Sequence, residues 1–427
     1  MVWNDAETID REQRRRRQDR RLRDVVASVA ERVPFYREAF ADAGVDPGEV
    51  EGIDDLAGLP FTSKEDLREH YPDGLFALPR SDLNCLHASS GTTGTPKVVG
   101  YADRDLEIWR EVMARSLVAA GVGPEDTLQN AYGYGLFTGG LGFHYGCQEL
   151  GAAVLPIGGG NTDRQLRFLR DLGSEVLACT PSYALYLAEQ GEKRGIDVAD
   201  LPVSAVVYGA EPCTDPMRAA IEERLGAAGF DIYGLSEIIG PGVSVECEAR
   251  DGLHVHSDHF YPEVIDPETG EVLPAGEEGE LVVTTLTKRG MPVIRYRTGD
   301  VTTLYPDACD CGRTTVRMDN VTGRTDDLLV VRGANLYPSE VEAAVLDLEG
   351  VAPHYRIDLY REGALDEFEV TVETAPGVDG EALREQVRER LEDRLAVAPD
   401  AVSVVGPGGI ERTETGKARR VYDHREE

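Results

Sequence analysis

Apolar residues recur at helical spacing over residues 7–43, with Leu22, Val25, Val26 and Val29 on one stripe, which predicts helices there. Pro34-Phe35-Tyr36 breaks that run. Leu59-Pro60-Phe61-Thr62-Ser63-Lys64 reads as a turn into a helix, with Thr62 or Ser63 as cap and Glu65 and Asp66 in the first turn. Helical patterns over residues 105–120 and 163–173 then alternate with short apolar runs at 128–132, 176–178, 205–207 and 231–233. Such alternation predicts stacked α/β layers around buried strands. Past Gly252 the pattern changes to hairpins, with Asp251-Gly252 and Thr269-Gly270 as turn dipeptides. A last group of strands (328–331, 368–374, 402–405) and helices (339–346, 380–395) predicts a small α+β unit, with a boundary near Gly323–Asp327. The expected domains are residues 1–325 and 326–427.

The 427 residues, 41% of them hydrophobic, suffice for two or three domains with full cores. No apolar run approaches the ~18 residues of a membrane span, and the charged start does not read as a signal peptide. These features predict a soluble cytoplasmic chain with no membrane partner. The net charge of −34 argues against nucleic acid, and the basic run Arg14–Arg17 is flanked by acids, as on a solvated helix face. Five residues are lysine: Lys64, Lys97, Lys193, Lys288 and Lys417. So acidic and lysine-poor a surface points to a salt-rich, halophilic cytoplasm, where self-repulsion is screened. Where lysine is avoided, each retained lysine becomes a stronger candidate for chemistry.

The densest chemistry lies in His87–Tyr101, HASSGTTGTPKVVGY. Ser89, Ser90, Thr92 and Thr93 offer hydroxyls, and Gly91 and Gly94 let backbone N–H groups point inward. Lys97 adds a point charge, so the run suits a polyphosphate. It is neither a Walker A loop nor a GxGxxG turn. Tyr233-Gly234-Leu235-Ser236-Glu237 follows a strand. It offers a hydroxyl for a phosphate oxygen and a hard carboxylate for Mg²⁺. Tyr296-Arg297-Thr298-Gly299-Asp300 resembles the motif of adenylate-forming enzymes whose aspartate holds the ribose hydroxyls, and a carboxylate accepting from two vicinal hydroxyls suits that role. Tyr132-Gly133-Tyr134-Gly135-Leu136-Phe137-Thr138-Gly139-Gly140 interleaves rings with glycines. Tyr132, Tyr134, Gly135, Phe137 and Gly140 could frame a flat slot for an aromatic guest, extended by His144 and Tyr145.

The first run resembles the phosphate loop of the adenylate-forming superfamily. The double serine, VVGY and the aromatic–glycine run resemble the phenylacetate–coenzyme A ligase family. The likeness extends from Pro34 to Lys417. It implies a large layered adenylate-forming N-terminal domain and a small mobile α+β C-terminal domain. It also implies that Gly209, Ala210 and Glu211 face the adenine, Tyr233 and Gly234 belong to the ATP site, and Arg324 sits near ribose or phosphate. Ser236 and Glu237 hold the α-phosphate and Mg²⁺, Asp326 is the hinge, and Lys417 is the catalytic lysine. The implied reaction activates an aryl acid, foremost phenylacetate, with ATP and then passes it to coenzyme A. Arg332-Gly333-Ala334-Asn335 would face the active site in the second step. Other aryl acids, such as benzoate or an indole acid, remain open, as does an adenylyltransferase that stops before the thioester; a homodimer is compatible.

Seven cysteines, an odd number in an intracellular chain, do not read as a disulfide framework. Cys309 and Cys311 form a knuckle-like pair. A two-residue turn at Asp251-Gly252 would set Cys247 opposite His256, with His254 diagonal to it. Cys247, His254, Cys309 and Cys311 are the expected structural zinc ligands. His259 would be left to face the active site.

Overall fold

The computed structural model describes residues 1–89, 95–325, 329–332, 334–362, 365–395, 397–412 and 418–425. Helix Arg11–Arg32 is capped by Asp10, whose carboxylate accepts from Gln13 N, and Pro34 then occupies the first turn of a new helix, Pro34–Asp42. Proline needs no intrahelical N–H partner there, so the break in the pattern is a helix start. These helices bury Leu22, Val26, Val29, Tyr36 and Phe40 with Leu286 and Ile294. Ser63 caps the helix Lys64–Glu69, its hydroxyl accepting from Asp66 N while Asp66 accepts from Ser63 N.

A twelve-stranded sheet dominates the large unit. Its first part is parallel, in the order Ala153–Leu155, Thr127–Asn130, Val176–Cys179, Ala205–Gly209 and Ala228–Leu235. Strands Val176–Cys179 and Ala205–Gly209 are buried throughout, as helices on both faces require. From Gly240–Glu246 onward the sheet is antiparallel. Helix Asp103–Ala119 packs Trp109, Val112 and Met113 into one core, and helices Pro181–Lys193 and Asp215–Leu225 build another. The parallel strands end together, and ligands in such sheets bind beyond the carboxyl ends. Tyr132, Gly209–Glu211 and Tyr233–Glu237 all stand at or just past these ends.

Past residue 325 a separate core forms around Val331, Val341, Ile357, Phe368, Val370, Val387 and Leu391. Its four-stranded sheet runs Ala401–Val405, Leu365–Thr374, Val351–Glu362 and Val421–Asp423, backed by helices Pro338–Leu346 and Gly380–Arg394. Among the described residues no helix is long and apolar enough to cross a membrane.

The hairpin expected at Asp251-Gly252 has another register. Val245 pairs with His254 and Glu246 with Leu253, so Cys247 lies beyond the paired strand rather than opposite His256. The turn is longer than two residues because Arg250 and Gly252 both take left-handed backbone, at φ 53° and 76°. His256 is buried elsewhere, with its Nε2 at 3.1 Å from Ser116 Oγ.

Candidate active site

The strand Cys85–Ser89 pairs with Lys97–Tyr101, holding the two ends of the predicted phosphate loop side by side. Ser90, Gly91, Thr92, Thr93 and Gly94 lie outside the described residues, as do Asp326 and Lys417. Lys97 reaches over to Glu237 and forms an ion pair with its carboxylate. Tyr296 OH donates to the same oxygen at 3.3 Å. Burial alone would raise the Glu237 carboxyl, but Lys97 more than offsets it and holds the group below its usual range. The site therefore contains a buried, ionised carboxylate with a cation already seated on it, which is the donor chemistry a hard divalent ion needs.

Lys288 lies behind this pair, 1% exposed, with its ammonium 2.9 Å from Glu237 O and over the Tyr101 ring at 4.8 Å. Burial draws it down to about 8, against the pull of Asp105 and Glu237. Motif reading passed over Lys288, although lysine scarcity marked it. Tyr101 OH donates to Ser236 O at 2.9 Å, so the strand Lys97–Tyr101 also fixes the Ser236–Glu237 turn.

Asp300 stands in the same region of the sheet. Tyr233 OH donates to its Oδ2 at 2.6 Å, and Arg324 is ion-paired with its Oδ1. Backbone pairing of Asp300 with Arg324 brings the two motifs together. Gly209 and Gly234 are required by the chain's own packing. A Cβ on Gly209 would meet Ile232 O at 2.1 Å, and one on Gly234 would meet Gly240 O at 2.0 Å. Ala210 takes left-handed backbone at φ 70°, a conformation a non-glycine residue adopts at a cost of about 1–3 kcal/mol. Glu211 turns its carboxylate to the Ser182 N–H, at 3.3 Å, and to the backbone N–H of Ala418 in the C-terminal unit.

The aromatic–glycine run is divided. Tyr132, expected in the slot, is instead a core residue, stacked on Phe143 and 5% exposed. Its hydroxyl donates to Cys179 O at 2.6 Å and accepts from Gly209 N at 2.9 Å, so it ties this run to the Gly209 segment. Tyr134 and Phe137 are exposed, and Asn130 donates to Tyr134 OH at 2.8 Å and to Gly140 O at 2.7 Å. Gly135, at φ 135°, makes the bend between them. Thr138, which the sequence reading left unassigned, places its hydroxyl 3.2 Å from that of Ser236. The ring-lined loop and the Tyr233–Glu237 segment thus meet side chain to side chain. Arg332 points away from this region, donating to Asp400 at 3.0 Å.

His259, expected to face the active site, packs elsewhere. It is buried, with Nδ1 2.8 Å from Thr287 Oγ1 and Nε2 3.2 Å from Asp258, inside a cluster with Arg115 and Glu111. Burial against charged partners makes it a structural group.

Cys247, His254, Cys309 and Cys311 converge, each offering one ligand atom, with all four atoms within 4.8 Å of one another. The Sγ atoms of Cys247 and Cys309 are 3.7 Å apart, and Cys311 Sγ is 3.4 Å from His254 Nε2. A tetrahedron with ~2.3 Å zinc–sulfur bonds has edges of about 3.8 Å, so the set fits zinc. Burial, aided by Arg313 and Arg317, holds the His254 imidazole neutral, down to about 3, and its Nδ1 lies 3.0 Å from Thr315 Oγ1. Outer-shell partners of this kind orient ligand histidines.

Two family models match the chain: AMP-binding enzyme over residues 8–287, and AMP-binding enzyme C-terminal domain over residues 333–425. The chain is 51% identical to phenylacetate-coenzyme A ligase of Thermus thermophilus over 444 aligned residues, covering 100% of each. Its structure matches 2-hydroxyisobutyryl-CoA ligase in the postadenylation state with 2-HIB-AMP at TM-score 0.92 and 30% identity, covering 99% of this chain and 92% of that one. Against the same ligase with 2-HIB-AMP and CoA in the thioesterification state, the TM-score is 0.73 at 31% identity and the same coverage. The two units here thus have the relative orientation of the former state.

Proposed function

The chain belongs to the AMP-binding enzyme family, and to its phenylacetate–coenzyme A ligase branch, and we propose that it converts phenylacetate to the coenzyme A thioester in two half-reactions. The observation that carries this reading is the convergence of Lys97–Glu237, Tyr233–Asp300–Arg324 and Thr138–Ser236 at the carboxyl ends of the parallel strands, on a chain alike throughout its length to a ligase of that name.

In the first half-reaction the acid's carboxylate attacks the α-phosphorus of ATP and pyrophosphate leaves. Asp300, oriented by Tyr233 and Arg324, accepts from the ribose hydroxyls. Lys97 moves from Glu237 toward the phosphates, aided by the hydroxyls and amides of Ser89, Ser90, Gly91, Thr92, Thr93 and Gly94. Glu237 is the residue that would hold Mg²⁺, which supplies positive charge to the phosphate oxygens. Ser236 contacts the α-phosphate, and Lys417 stabilises charge on the pentacovalent phosphorus. Tyr134, Gly135, Phe137 and Gly140 line the acid's slot, with Tyr132 behind them. In the second half-reaction residues 326–427 turn about Asp326, Lys417 withdraws, and the coenzyme A thiol attacks the acyl carbon, expelling AMP.

Cys247, His254, Cys309 and Cys311 form a structural zinc site within this assignment. The acidic, lysine-poor composition supports a cytoplasm rich in salt as the working medium. The test is a panel of aryl acids read by pyrophosphate release and by thioester formation. Phenylacetate is expected to be turned over best, and only with coenzyme A. Preference for benzoate or an indole acid, or AMP release without the thiol, would replace this reading.

A further inference from the structure

Residues 413–417 are flanked on both sides by contacts to the large unit. On the amino side, Arg412 is held inside the C-terminal unit by a two-pronged pair with Glu373, Nη1 to Oε2 at 2.8 Å and Nη2 to Oε1 at 2.7 Å. Its Nε and Nη2 then reach both oxygens of Glu189, on helix Pro181–Lys193 of the large unit, at 3.2 Å each. His354 Nε2 joins the same carboxylate. On the carboxyl side, the N–H of Ala418, the residue after Lys417, donates to Glu211 of the large unit. Glu189 and Glu373 are both under a tenth exposed, so little water competes for these contacts.

We propose that Glu189 and Glu211 are positioning residues that bracket the segment bearing Lys417 and fix it for the adenylation half-reaction. The inference rests on the two-half-reaction reading and on the match to the postadenylation orientation. The same geometry makes the bracket releasable. When the units separate, Arg412 keeps Glu373, and Glu189 keeps Arg224 of its own unit, 3.7 Å away. Neither charge is left buried without a partner, the circumstance that makes breaking most buried pairs costly. Glu211 gives up one N–H and keeps that of Ser182. The bracket therefore favours one orientation without locking it.

The experiment uses the full-length protein and its Glu189→Gln and Glu211→Gln variants. Glutamine keeps the shape of each side chain and removes its charge. In Glu189→Gln, phenylacetate-dependent pyrophosphate exchange is expected to fall by about tenfold, as for loss of a charge-assisted contact. Conversion of supplied phenylacetyl-adenylate and coenzyme A to thioester should proceed at the wild-type rate or faster. A merely structural role would lower both rates together. Deuterium uptake over residues 408–425 in the ligand-free protein should rise in both variants. Parallel loss of both half-reactions, or uptake unchanged in both variants, would overturn the bracket. A wild-type protein inactive on phenylacetate would sink the functional reading instead, and deuterium uptake would still decide the bracket.

Discussion

The Tyr233 hydroxyl donates to Asp300 Oδ2 at 2.6 Å across 67 residues of chain, while Arg324 engages the other oxygen of the same carboxylate. Burial and Asp300 keep the phenol well above its ordinary pKa, so Tyr233 remains a donor throughout the working range. The carboxylate is thereby oriented before nucleotide arrives. Asp300→Asn is expected to weaken ATP binding by about 10- to 100-fold, as two charge-assisted hydrogen bonds become neutral ones. Tyr233→Phe should cost less, about fivefold, since only orientation is lost. Calorimetric titration with ATP measures both, and wild-type affinity in Asp300→Asn would remove the residue from the nucleotide site.

Lys97 and Glu237, 140 positions apart, form an ion pair. Lys97→Met and Glu237→Gln should each slow adenylation by about 10²-fold. The double variant should fall well short of the product of the two effects, because each single change already disables the pair. Pyrophosphate exchange in a double-mutant cycle reads the coupling. Strict multiplicativity would mean that the two side chains work separately.

Burial raises the Glu189 carboxyl, but His354 and Arg412 more than offset it, bringing it from 4.5 to about 2. Folding therefore favours the ionised form. The contribution of Glu189 to stability is complete above about 4.5 and is lost as pH falls toward about 2. Acid unfolding of Glu189→Gln should accordingly show a shallower dependence on pH in that window than the wild type. Identical slopes would mean that Glu189 is not held ionised by its partners.

The cysteine–histidine quartet predicts about one zinc per chain in protein purified without chelator. Removing it, or substituting Cys309→Ser, should lower Tm by about 5–10 °C, since the site joins the turn after Gly240–Glu246 to the loop around Cys309. Adenylation at 25 °C should be largely kept. Elemental analysis and thermal unfolding check this, and metal-free protein of undiminished Tm would leave three reduced thiols and a histidine with no structural duty.

With 78 acidic residues against 44 basic ones, charge repulsion opposes the compact state at low salt. Raising KCl from about 0.1 M to above 1 M shortens the screening length from ~10 Å to ~3 Å. Tm should rise across that range, and a flat or falling curve would refute the salt-adapted reading.

Much of this molecule was legible as one-dimensional pattern. Local sequence specifies helices such as Asp103–Ala119 through side-chain periodicity. The buried strands stand out as short apolar runs between them. Glu237 stands out in the sequence as a carboxylate just past the strand Ala228–Leu235, whereas Asp300 lies inside the strand Tyr296–Tyr305 and stands out only through the motif it resembles. The quartet was legible as a composition of ligands, yet the pairing that assembles it was misread. Two backbone torsions in the 247–252 turn shift the register, and such torsions are not written in residue type alone.

What the chain's order of residues determined by itself is the set of chemical groups, the elements carrying them and the family resemblance, all of which rest on local preference and spacing. Only the tertiary structure decided which groups share a carboxylate. It turned Tyr132 and His259 inward, set Lys288 beneath Glu237, joined Thr138 to Ser236, and laid Arg412 and Ala418 against Glu189 and Glu211. Apart from that of His259, those contacts join residues 47 to 223 positions apart, and hydrogen bonds at such separations depend on how layers stack, which no local pattern encodes.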